Sequence, residues 1–132
     1  MKAITLNIFA VLLFSAYTFG QSENLTRSEK IEAFKIQQKC VADASEKEEW
    51  SMVAPCARKS LAILEDLLGK KHRSVALITY EYGLALGYVE NIVESERILK
   101  LAVKRYEEIF GNDSSELIPI LLDYACLLYT SD

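Results

Sequence analysis

Ser60 to Gly69 reads SLAILEDLLG, and Ala102 to Gly111 reads AVKRYEEIFG. The two strings align without a gap, and their final glycines stand 42 residues apart (111 minus 69). Glu65 answers to Glu107. Leu61, Leu64, Asp66, Leu67 and Leu68 answer to Val103, Tyr106, Glu108, Ile109 and Phe110, each a like-for-like exchange. A helix end written twice at a fixed period marks an all-α chain of repeated helix pairs. Each pair covers an apolar face that its neighbour cannot bury alone.

Reading outward, Trp50, Val53, Ala57, Leu61, Leu64 and Leu68 fall on one side of a helix that ends at Gly69. Gly69 is placed to take the positive φ of a helix C-terminus. Pro55 is tolerated only near a helix start, so the regular helix is expected to begin between Ser51 and Ala54, with Ser51 as N-cap. Val75 to Tyr88 (VALITYEYGLALGY) is apolar nearly all round, as a helix sandwiched between neighbours should be. Gly83 and Gly87 would each cost about 1 kcal/mol against Ala in an exposed helix, so close neighbours are expected there. Ile92 to Phe110 forms a further helix, with Ile92, Ser95, Ile98 or Leu99, Ala102 and Tyr106 inward. Lys70-Lys71, Lys104-Arg105, Glu65-Asp66 and Glu107-Glu108 read as solvated surface charge. Ser115 to Ala125 opens another helix, with Pro119 near its first turn. Upstream, Ile31 to Ala44 is amphipathic through Ile31, Phe34 and Val41, and Gln21 to Lys30 is a polar, flexible lead-in whose Thr26 or Ser28 could cap that helix.

The period and the wording LEDLLGKKHRSVA resemble a tetratricopeptide repeat of the kinesin-light-chain type, in which a Gly, two residues, a His and a Val-Ala join successive units. Here these are Gly69, His72, Val75 and Ala76. The family's Leu-small pair falls on Tyr82-Gly83 and again on Tyr124-Ala125. The large residue that follows is Leu86, and the later inward positions are Ile92, Ser95, Leu99 and Ala102. Glu90 stands where the family has a turn glycine. One period earlier, Cys40-Val41, Ala44, Glu48, Trp50, Val53, Ala57 and Ser60 form a degenerate copy. The resemblance implies units at 31–69, 73–111 and 115–125 (partial), stacked as a right-handed solenoid. It also implies a concave face built from the first helix of each unit, which would take Lys35, Gln38, Tyr80, Leu84 and Tyr88.

The ends of the chain read differently. Residues 1–20 hold Lys2, an apolar run from Ile4 to Ala16 and small residues Thr18 and Gly20 before Gln21: an export signal, too short to span a bilayer. No other stretch is long and apolar enough to insert stably in a membrane. The expected destination is a periplasm or the secreted space, and the short lysine-poor signal favours a bacterial source. Cys126 to Asp132 (CLLYTSD) resembles the translation of a transposon-based sequencing adapter and is expected to be non-native. Setting Cys126 aside leaves Cys40 and Cys56, late in one helix and early in the next. They are either a disulfide across that hairpin or two core thiols.

Little in the chain points to catalysis. The sole histidine, His72, lies in a link without Asp or Cys at ligand spacing, and no phosphate loop, nucleophile elbow or HExxH occurs. A net charge of −4 without a basic block gives no footprint for nucleic acid. The expectation is a non-enzymatic scaffold with no cofactor or metal that holds a protein or peptide segment. The alternatives are a repeat arm of a longer enzyme or signalling protein, and self-association through an open C-terminal face.

Overall fold

The computed structural model describes residues 25–130. The expected export signal lies outside them, as do Ser131 and Asp132. Five α-helices follow one another: α1 (Arg27–Glu46), α2 (Trp50–Leu68), α3 (Arg73–Tyr88), α4 (Ile92–Phe110) and α5 (Ile118–Thr130), with a 3-10 turn at Ser115–Leu117 before α5. No strand occurs among the described residues. The fold is all-α. Helices α1 and α2 form one antiparallel hairpin and α3 and α4 a second; α2 packs on α3, and α5 packs on α4.

Backbone geometry recurs at the 42-residue spacing. Gly69 and Gly111 close α2 and α4 at φ 80° and 87°, each donating to the carbonyl four residues back, Glu65 and Glu107, at 2.9 Å. Both glycines have open space where a Cβ would stand, so the positive φ is what demands them. The turns inside the hairpins match as well. Glu48 and Glu90 sit at φ 57° and 61°, and Glu49 and Asn91 donate to Ala44 and Leu86. His72 and Ser114 cap the next elements alike: the His72 Nδ1 and the Ser114 Oγ each accept from the backbone N–H two residues on, at 3.2 Å.

One apolar core runs from Ala44, Val53, Ala57, Leu61 and Leu64 through Val75, Ile78, Tyr82, Ala85 and Leu86 to Ile98. A second, with Ala76, Ala102, Tyr106, Leu117 and Ile120, joins α3, α4 and α5. The close approach expected at Gly83 is present: a Cβ there would meet Leu99 Cδ2 at 2.7 Å and Cγ at 2.9 Å. Ser95 Oγ donates to the Gly83 carbonyl at 2.7 Å.

Several expectations need correction. Helix α1 begins at Arg27, so the last four residues of the polar lead-in are helical. Thr26 is its N-cap, and Thr26 and Glu29 close a capping box that satisfies the first backbone donors. Helix α2 starts at Trp50 with Glu49 at the cap position, not Ser51, and it runs through Pro55. Pro55 is exposed on its second turn, which leaves the Ser51 carbonyl, without its helical donor, on an exposed residue. Helix α3 starts at Arg73, two residues early, because His72 caps it. Leu68 is exposed. Arg105 is buried: its guanidinium donates to Thr79 Oγ1 and pairs with Glu65. Neither Arg105 nor Glu65 is free surface charge. Their pair ties α2 to α4, and the Thr79 bond adds α3.

Cys40 and Cys56 are joined as a disulfide, with Cα atoms 6.1 Å apart, across the α1–α2 hairpin. The corresponding positions 42 residues on are Tyr82 and Ile98, both in the core. The bridge thus stands at the positions where the second hairpin places two core side chains.

Candidate functional site

Helix α3 turns one stripe outward. Leu77, Glu81, Leu84 and Tyr88 follow at spacings of four, three and four residues, which places them on one face. Leu77 and Tyr88 are 45% and 61% exposed, while Glu81 and Leu84 are half-buried. The opposite face, from Val75 and Ala76 to Ala85 and Leu86, is core. Tyr88 is open yet held in place: its ring stacks on Trp50 with centroids 4.1 Å apart and planes at 16°. The stack brings the start of α2 against the end of α3.

The five residues expected on a concave face have separate fates. Leu84 and Tyr88 share the outward stripe. They also line a groove of about 230 Å³ with Gly87, Leu99, Asp123 and Leu127, between the second hairpin and α5. Tyr80 is not open for a partner, because its hydroxyl donates to Asp123 on α5. Burial, then the Asp123 carboxylate, raises the Tyr80 phenol well above its ordinary pKa. Gln38 is half-buried and donates to Ser60 Oγ of α2 at 3.3 Å, inside its own hairpin. Lys35 is exposed and paired with Glu32 at 2.7 Å on α1.

Two residues of this surface were not singled out from sequence. Trp50 falls in the sequence on the inward side of its helix, with Val53, Ala57 and Leu61. Glu81 is the lone charged residue between Val75 and Tyr88, and that isolation in an apolar helix was the available signal. Burial raises its carboxyl pKa above the usual value. Among the described residues, no cluster of His, Cys, Asp and Glu could hold a metal ion, and no helix is long and apolar enough to cross a membrane. Comparison of the chain with family models, curated proteins and solved structures gave no match.

Proposed function

We propose that this chain is an exported, non-catalytic binding module of tetratricopeptide-like hairpins that holds a protein or peptide segment along the outward face of α3. The observation that carries this reading is Tyr88, an aromatic ring left 61% exposed yet fixed by its stack on Trp50. A rigid, open aromatic offers large contact area at little entropic cost on binding. The family reading draws support from the caps and turns that recur 42 residues apart.

The test is capture from cell-envelope extract, with bound proteins identified by mass spectrometry. Tyr88→Ala should lose the proteins retained by the parent chain while keeping its helical circular dichroism. Recovery of the same proteins by a folded Tyr88→Ala variant defeats the reading. Tyr80→Ala is a poorer probe, because it also breaks the bond to Asp123.

A second reading, a repeat arm within a longer enzyme or signalling protein, is favoured by one feature of α5. Ile118 and Leu121 are 57% and 46% exposed, whereas their counterparts Ala76 and Thr79 are fully buried in the layer that includes α4. A further helix laid on α5 would cover them in the same way. Sequencing the gene from its native source decides between the readings.

A further inference from the structure

The seams between successive first helices differ in one hydrogen bond. Between α3 and α5, Tyr80 donates to Asp123. The same two positions one period earlier are Gln38 on α1 and Glu81 on α3. There the bond is not made. The Gln38 amide is turned to Ser60 Oγ. Glu81 has no hydrogen-bond or ion-pair partner among the described residues, and burial alone accounts for its raised pKa. The seam is wider too: no Cα of α1 comes within 8 Å of one in α3, whereas α3 and α5 do approach that closely.

Glu81 is thus a half-buried carboxylate without a donor, flanked along the outward stripe of α3 by Leu77, Leu84 and Tyr88. Withdrawing a carboxylate from water without a donor is unfavourable, and a charge-assisted bond from a ligand would offset that cost. The surroundings favour a cation. Glu46, Glu48, Glu49 and Glu90 stand at the turns on the Tyr88 side with Lys47 as the one basic residue among them, and none of the four glutamates is ion-paired among the described residues. Of the lysines on the middle turns of α1, Lys35 is held by Glu32 and Lys39 is exposed. The apolar flanks suit the aliphatic stem of a long basic side chain, and the open Tyr88 face suits a guanidinium.

We propose that the outward face of α3 binds an extended peptide segment through one arginine or lysine, which pairs with Glu81 and lies along Leu77, Leu84 and Tyr88. This rests on the binding-module reading and adds to it the chemistry of the partner.

The probe is a short labelled peptide with Leu-Arg-Leu in Gly/Ser flanks, with copies carrying citrulline or glutamate in place of the arginine. Binding to the full exported chain is followed by fluorescence anisotropy. The arginine peptide should bind at least about tenfold more tightly than the citrulline peptide. Glu81→Gln should abolish that preference, and Tyr88→Ala should weaken the arginine peptide more than the citrulline peptide. Equal affinity of the parent chain for arginine and citrulline peptides overturns the proposal, as does an arginine preference that survives Glu81→Gln. Absence of binding by all three peptides overturns it as well. The envelope-capture result then still decides the broader reading on its own.

Discussion

At Arg105 a single side chain couples three helices. Its guanidinium lies 6% exposed between Glu65 of α2 and Thr79 of α3. Truncating it leaves a half-buried carboxylate and a buried hydroxyl without their donor. Arg105→Ala should therefore lose about 3 kcal/mol in urea unfolding, the usual cost of breaking such a pair, whereas Arg105→Met should lose clearly less. The residue was misread from sequence because charge near a helix end is ordinarily solvated. The signal was present in its spacing, since Ile98, Ala102 and Arg105 follow at four and three residues and so share the inward stripe. Glu81 poses the converse case. Burial raises its folded pKa, so the native state holds the proton more tightly than the unfolded chain. Stability is then withdrawn as pH rises from the unfolded carboxylate value through the folded one. Glu81→Gln should match the parent in thermal unfolding at pH 4 and exceed it at pH 7. A gain in stability on removing a charge is what a group kept for binding should show.

At the scale of elements, the helix boundaries in the middle of the chain were legible because glycine has so few alternatives there. The ends of α2 and α4 follow from Gly69 and Gly111, and the span of α4 was read without error. At the start of α1 Thr26 is one of the two caps the sequence offers, but the first helical turn after it is polar and reads as lead-in. The turn at Glu90 shows where sequence and backbone disagree. The family resemblance asks for glycine, the sequence has glutamate, and the backbone still adopts φ 61°. A left-handed conformation costs a non-glycine residue roughly 1–2 kcal/mol. Glu90→Gly should therefore raise stability by about 1 kcal/mol, measured by denaturant unfolding, after allowance for the greater freedom of glycine in the unfolded chain. In the first hairpin the disulfide closes a short loop between residues 16 apart. Reduction should cost about 3 kcal/mol on the loop-entropy scale, read as a lower urea midpoint with dithiothreitol.

Across the whole molecule, the two ends of the stack are finished differently. The α1 end carries a capping box, the Cys40–Cys56 bridge and the Lys30–Asp66 ion pair. The α5 end carries the Ser114 cap, the Arg73–Glu116 ion pair and the Tyr80–Asp123 bond, but no disulfide among the described residues. There Ile118, Leu121 and Leu122 are 57%, 46% and 61% exposed on consecutive turns. Position by position, Ile118 and Leu121 match Ala76 and Thr79, which are fully buried in the α3 layer beneath α4. An exposed apolar helix face of this kind marks a contact surface, and in a solution of the isolated chain the available partner is another copy. The apparent mass of the purified protein in light scattering should therefore rise with concentration. Leu121→Lys combined with Leu122→Glu should hold it at the monomer value. Both positions face solvent, so the double variant should keep its helical content, which separates lost association from lost folding. A chain that stays monomeric at every concentration would show that α5 tolerates its open face, and would remove the feature that favours a further helix laid upon it.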